Sequence, residues 1–336
     1  MPNVASVAVV VNSFQHEAFI DEAVRSALAQ DWGGLRREIV VIDDGSRDGT
    51  LARARAHEPA VRCVSQPNMG QGAAFNRGLR ETRGEIVCFL DGDDLWYPAK
   101  IASVVAAFNA HPDAAFVQHP LQAVDASGRA LRRSCGTLPE RVTLDDVLDG
   151  RSVLVGTTGI CVRRSVLDLI APVPEDLTTH ADNYVSRHAL MFAPGCSVPG
   201  TLGGLRVHGR NSFQGMNWNP DKLEGYFKIQ DKLDGYFEAE LRKRGRALTE
   251  AGKRAWRAER RAREILFHAW RGERLAALRS WSALRRELPA SPLRTFKSAT
   301  LLLAALWPAA YLTLQDWYGR FPRLPAARRA LAGEAA

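Results

Sequence analysis

Asp91, Asp93 and Asp94 crowd into four positions of Leu90-Asp91-Gly92-Asp93-Asp94-Leu95-Trp96, where their like charges push one another's pKa upward. A divalent cation neutralises such a cluster. Mg²⁺ takes one or two carboxylates, keeps waters and fills its remaining positions with substrate phosphate oxygens, which suits a short Asp-x-Asp. The same residues are also compatible with an acidic turn in which Asp91 or Asp94 caps a helix beginning near Pro98.

Elements that could hold these acids are legible on both sides. Ile86 to Leu90 is an apolar, β-prone run of the length of a buried strand, so the acids emerge at a strand's carboxyl end, where open α/β sheets bind ligands. Upstream, Val7 to Val11, Glu38 to Ile42 and Arg62 to Ser65 read as strands, the second ending in Asp43-Asp44-Gly45-Ser46. Between them, Ala18 to Gln30 carries a helical apolar stripe, Thr50 to about His57 is helical, and Ala73 to Thr82 follows a glycine-punctuated loop. Strand and helix alternate with acids at two strand ends, which predicts a doubly wound, mostly parallel sheet that binds a nucleotide. No glycine loop matches the Rossmann or P-loop pattern, which counts against hydride transfer and NTP hydrolysis.

At 336 residues the chain holds one large domain plus an appendage. The net charge of +8 is unevenly spread: basic residues outnumber acidic ones by 9 between Glu240 and Pro289 and by 4 from Ala290 onward, leaving residues 1–239 at about −5. No zinc-finger spacing, RNP-like motif or basic zipper accompanies the basic tail, so no nucleic-acid partner is expected and the tail reads as membrane-facing. The five cysteines form no CxxC pair, which favours a reducing compartment. Val7 to Val11 is too short, and lacks the basic lead, of a signal peptide.

The ordered run VAVVVNSF, EIVVIDDGSRDGT, QPNMGQGAAFNRGL and GEIVCFLDGDDLWYPAKI, within residues 4–101, resembles the family 2 glycosyltransferases of GT-A fold. That resemblance implies an α/β fold, a GT-A type doubly wound, mostly parallel sheet with flanking helices, followed by a helical C-terminal region. It implies an inverting, metal-dependent transferase of hexosyltransferase type that moves a sugar from a nucleotide-diphosphate sugar, with a UDP-sugar as the expected donor, to an acceptor hydroxyl. By similarity, Asn12, Phe14, Asp43, Asp44, Asn76, Asp91 and Arg206 contact the nucleotide sugar, and Asp93 and His208 hold Mg²⁺ or Mn²⁺. Asp43 and Asp44 are also compatible with helix-capping turns, and Arg206 and Arg210, read as phosphate contacts, with a solvated loop.

Two departures from the family pattern stand out. Phe75 occupies the place where many relatives carry Arg before Asn76, so that arginine's contact is absent or moved, with Arg77 a candidate replacement. His180-Ala181-Asp182-Asn183 falls where relatives show Glu-Asp opening a helix. Asp182 matches the expected catalytic base, but Ala181 replaces the Glu, leaving its orienting role to His180 or Asn183. The alternative use of Asp182 is a helix cap. Gly156-Thr157-Thr158-Gly159 resembles the strand lining the acceptor side, its glycines serving either substrate room or tight packing.

Asp125-Ala126-Ser127-Gly128 signals a turn and predicts a hairpin over residues 114–135. Residues 219 to about 287 read as helices, and Ser298 to Leu314, broken by Pro308, is shorter than the roughly 20 apolar residues of a spanning helix. With Trp307, Tyr311, Trp317 and Tyr318 around it and basic residues before it, this stretch fits a helix lying in the headgroup region. The expected organisation is a catalytic domain over 1–218, a basic helical extension over 219–289 and a membrane-associated segment over 290–336. The expected setting is cytoplasmic, peripheral on the inner face of the cell membrane, with a glycan or lipid-linked acceptor in cell-surface polysaccharide or glycolipid synthesis. The rival reading is a non-catalytic nucleotide-sugar or glycan-binding module on the same tail.

Overall fold

The computed structural model describes residues 4–134, 138–151, 153–209, 211, 219–288 and 292–319. The chain forms two compact units, one of residues 1–146, 152–207 and 232–243, the other of 147–151, 208–231 and 244–336.

In the first unit the alternation expected from the apolar runs is present: β1 (Ser6–Ser13), α1 (Ile20–Leu28), β2 (Arg36–Asp43), α2 (Thr50–Arg55), β3 (Arg62–Ser65), α3 (Gln71–Glu81), β4 (Ile86–Asp91), β5 (Leu95–Trp96) and α4 (Lys100–Ala110). Next come β6 (Phe116–Gln118), β7 (Gln122–Val124), β8 (Ala130–Ser134), β9 (Arg141–Val142), α5 (Leu144–Leu148), a 3₁₀ turn (Thr157–Gly159), β10 (Ile160–Arg163), α6 (Arg164–Ile170), α7 (Ala181–Ala189), β11 (Gly195–Ser197) and β12 (Gly203–Arg206). The main sheet has the order β3-β2-β1-β4-β10-β6-β11-β9. Its first four strands are parallel, and β1 and β4 are apolar because helices cover both faces.

β10 runs antiparallel to β4, with Cys161 opposite Cys88. Its leading end, and the 3₁₀ turn before it, therefore lie at the carboxyl end of β4. The hairpin expected over 114–135 is divided: β6 enters the main sheet between β10 and β11, while β7 and β8 pair in a second sheet of order β5-β12-β7-β8. The turn at Asp125 to Arg129 joins β7 to β8, with Gly128 at φ +80°.

The second unit is helical, with α9 (Glu250–Trp270), α10 (Arg274–Glu287), α11 (Pro292–Leu306) and α12 (Pro308–Gly319), preceded by the leading part of α8 (Pro220–Lys243). Leu223, Ile265, Leu266, Ala277, Leu284, Leu301 and Ala304 form its core. Much of the arginine of α9 is engaged with acids: Arg257 with Glu287, Arg260 with Asp231 and Glu264, Arg263 with Glu259.

Candidate active site

Strand register puts the acids in one row at the carboxyl edge of the sheet. Ser65 pairs with Asp43, Asp43 with Ser13, and Asn12 with Asp91, across β3, β2, β1 and β4. Asp43 Oδ2 accepts the Ser65 hydroxyl at 3.1 Å, while its Oδ1 is buried and, among the described residues, has no hydrogen-bond partner. A buried carboxylate oxygen without a donor is costly and marks a place for a ligand N–H or O–H. Asp44 is fully engaged: it accepts the Gly70 and Met69 N–H groups at 2.7 and 3.0 Å and Gln66 Nε2 at 2.8 Å. It caps neither α2 nor a turn of its own, but holds the loop of residues 66–70 against β2. Phe14, just past β1, is 40% exposed.

Asp91 accepts Asn12 Nδ2 at 3.2 Å. Burial, then the charges of Asp93 and Asp182, push its carboxyl up to about 8. Asp93, only 13% exposed at its side chain, faces His16, whose Nε2 lies 3.8 Å from Oδ2. Gly92 is required between them, because a Cβ there would sit 2.7 Å from Ser13 Oγ and 2.9 Å from His16 Nδ1.

Asp94 is a structural acid rather than a helix cap. α4 starts after Ala99 with no side-chain cap, whereas buried Asp94 accepts the Arg206 N–H at 2.8 Å and the Thr158 hydroxyl. Burial and the neighbouring Asp93 and Asp91 raise its pKa well above the usual carboxylate range.

Two residues read as ligand contacts are spent inside the fold. Arg206 is 0% exposed, neither a phosphate contact nor part of a solvated loop. Its guanidinium donates to Asp93 O at 2.7 Å, Ala126 O at 2.8 Å and Glu22 Oε2 at 2.6 Å, and lies over the Phe19 ring. Asn76 is buried and exchanges two 2.8 Å bonds with the backbone of Val173. Phe75 packs in the core, its ring 4.3 Å from that of Phe89, and Arg77 pairs with Glu81 on the same helix.

Asp182, at the start of α7, is 7% exposed, and burial raises its pKa. Its Oδ1 accepts the Asn183 N–H at 2.9 Å, and Thr157 bonds to its carboxylate. A Cβ on Gly156 would lie 3.4 Å from Asp182 Oδ2, whereas one on Gly159 would strike Val155 and His119 O. Gly156 thus borders the carboxylate and Gly159 serves packing. The structure brings Asp91, Asp93 and Asp182 into one electrostatic cluster. It also adds His16, Thr157 and Gln71, to which the sequence reading assigned no role although two of them stand inside its quoted motifs.

His208 belongs to the second unit, where its backbone N–H donates to Asn211 Oδ1. Arg210 lies outside the described residues. Among the described residues no three His, Cys, Asp or Glu side chains form a metal cluster.

The model of "Glycosyl transferase family 2" matches residues 8–170. An uncharacterized glycosyltransferase of Nostoc sp. is 28% identical over 61% of the chain and 66% of its own length. One of Rickettsia typhi is 33% identical over 31% of the chain and 32% of its own length, so the chain spans less than two thirds of these relatives. A cholesterol galactosyltransferase of Borreliella burgdorferi is 36% identical over 26% of the chain and 25% of its own length. Among solved structures, S. aureus TarS in complex with UDP-GlcNAc superposes with a TM-score of 0.57 at 19% identity, over 89% of this chain and 91% of that one. A Pyrobaculum calidifontis mannosyltransferase in complex with GDP-Man and Mn²⁺ gives 0.51 at 18% identity, over 99% and 85%. These likenesses agree on a GT-A-like fold, and the span from β1 through the acid turn to α6 matches glycosyl transferase family 2.

Proposed function

We propose that the protein transfers a sugar from a nucleoside-diphosphate sugar to an acceptor hydroxyl, with inversion. The observation that carries this is the convergence of Asp91 and Asp93, at the end of β4, with Asp182, from a distant helix, about one small cluster. The acceptor oxygen attacks the anomeric carbon, the bond from that carbon to the diphosphate oxygen breaks, and the acceptor's proton passes to Asp182. Burial raises the basicity of Asp182, which suits it to receive that proton. Asp43 Oδ1 would accept an imide N–H, which favours a uracil base, with Phe14 beside it. Fold neighbours with UDP-GlcNAc and GDP-Man bound are consistent with a nucleotide-sugar donor.

The acid turn fits a hard divalent ion, Mg²⁺ or Mn²⁺, held by Asp93. Such an ion, when bound, offsets charge on the leaving diphosphate. Asp91 then faces the ribose or the ion's water. Asn12 orients Asp91, and Asp44 shapes the loop over the nucleotide.

We also infer that the second unit rests on an anionic lipid surface, which favours a lipid-linked or cell-envelope glycan as acceptor. Phe296, Ala299 and Leu306 are exposed on α11, Trp307 and Ala310 are exposed just beyond its end, and no charged residue occurs from Ser298 to Leu314. Trp307 is 67% exposed, and the sequence from Glu240 onward is strongly basic. An uncharged face flanked by positive charge matches the headgroup boundary of an anionic membrane.

The direct test incubates the purified protein with a panel of nucleotide sugars and Mn²⁺ and measures nucleoside-diphosphate release. Release from one donor, lost on chelation and in Asp93→Asn, is expected. A wild-type protein that releases nothing from any donor, while still binding nucleotide or glycan, would instead be the non-catalytic module.

A further inference from the structure

Gln71, the first residue of α3, is held from three directions. Its Nε2 donates to Thr157 Oγ1 at 3.0 Å and reaches Asp91 Oδ1 at 3.5 Å, while its Oε1 accepts the Ala181 N–H at 3.0 Å. The backbone around it is equally engaged. The N–H groups of Gln71 and Gly72 donate to Thr178 O and Leu177 O, both at 3.0 Å, and Asn76 exchanges its two bonds with Val173 one turn later. The flanking glycines allow this close seating: a Cβ on Gly70 would lie 2.5 Å from Thr178 Cα, and one on Gly72 2.5 Å from Pro174 O. The segment that delivers Asp182 is thus laid along the start of α3.

Within this set of contacts the Gln71 side chain alone also reaches the acid turn. A primary amide can do this because it carries donors and an acceptor together, which neither Glu nor Leu does. By donating to Thr157 Oγ1 it leaves the Thr157 hydroxyl hydrogen for a carboxylate, and Thr157 bonds to both Asp91 and Asp182. Ala181, which has only a methyl group, is held through its backbone instead.

We propose that Gln71 is a positioning residue that sets Asp182 against the Asp91–Asp93 turn, joining the base-carrying segment to the donor half of the site. The assignment rests on the transferase reading above. Displacing a catalytic group by about 1 Å can cost about a hundredfold in rate, so the effect should fall on turnover rather than on nucleotide binding.

The test uses the full chain with Gln71→Leu and the near-isosteric Gln71→Glu. It measures amide exchange over residues 177–185 without ligand, UDP affinity with Mn²⁺ by calorimetry, and kcat and KM for the best donor of the panel. In Gln71→Leu, exchange over 177–185 should rise at least about tenfold and kcat fall about a hundredfold, with UDP affinity within threefold of wild type. Gln71→Glu keeps an acceptor for the Ala181 N–H and should restore the exchange protection, but it lacks the donor to Thr157 and should leave kcat low. Unchanged exchange in Gln71→Leu, or UDP affinity falling in step with kcat, overturns the proposal. A wild-type protein inactive on every donor would overturn the transferase reading and Gln71's catalytic purpose with it, while the exchange pattern separately judges whether Gln71 seats the segment.

Discussion

Burial separates the acids of the site by task. Asp94 and Asp44 spend their oxygens on backbone N–H groups and hydroxyl or amide donors, whereas Asp43 has a buried oxygen without a hydrogen-bond partner among the described residues and the Asp93 side chain is 13% exposed. Arg206 makes this division possible by clamping the Asp93 carbonyl and the β7–β8 turn at once. Arg206→Leu is expected to destabilise the fold by about 3 kcal/mol in a denaturant titration, because it removes a fully buried guanidinium together with its bonds to the Asp93 and Ala126 carbonyls. Glu22→Gln keeps a side-chain acceptor but removes the counter-charge of the fully buried Arg206 guanidinium, so it should cost about 1–3 kcal/mol, less than Arg206→Leu. The crowding of Asp91 and Asp93 was legible from their spacing, whereas Asp43 and Asp182 were singled out only through the family resemblance. The employment of Arg206 and Asn76 was not legible, because their partners Glu22, Asp93 O and Val173 are distant in sequence and two of these contacts are backbone carbonyls, which carry no residue signature.

At the scale of elements, the parallel half of the sheet follows from continuous apolar runs, and the sequence reading located each of its strands within a few residues. The antiparallel strand β10 and the split of the expected hairpin were harder to see, since a turn signal says where the chain reverses but not which strand pairs with which. That antiparallel insertion matters chemically. It brings Thr157 and Thr158 to the end of β4 and buries Lys100 at the start of α4, where its Nζ bonds Thr158 O and His119 Nε2, both at 2.8 Å. Burial and then the Lys100 charge lower the His119 pKa to about 2. The unfolded chain protonates this histidine near 6.5 and the folded one only near 2, so below 6.5 the unfolded state binds the extra proton. Stability from this site is therefore complete above about pH 6.5 and declines as pH falls. Melting temperatures from pH 7 to pH 5 should drop more in wild type than in His119→Asn; equal drops would contradict the assignment.

On the scale of the whole molecule, the chain combines a mildly acidic α/β unit with a basic helical one, and the charge asymmetry was readable from residue counts alone. Helices were expected over 219–287, but the packing of α11 in one core with α9 and α10 was not; the break between α11 and α12 falls at Pro308, a residue that cannot donate an N–H. No helix among the described residues is long and apolar enough to cross a membrane. The protein should sediment with vesicles containing phosphatidylglycerol and remain in solution with pure phosphatidylcholine. Phe296→Ser with Trp307→Ser should reduce that binding about tenfold or more, from the apolar area withdrawn from lipid. Undiminished binding would mean that another surface meets the lipid, or that charge alone suffices.

The proposed transfer needs a division of labour in which the acid turn and the β-strand row would hold the donor and Asp182 would receive the acceptor's proton. Asp182→Asn tests it most directly, with UDP affinity in the presence of Mn²⁺ and steady-state transfer measured on the same preparation. Affinity within about threefold of wild type, with transfer lower by about a hundredfold or more, is the predicted result. Transfer at the wild-type rate, or loss of UDP affinity in proportion to loss of transfer, would contradict it.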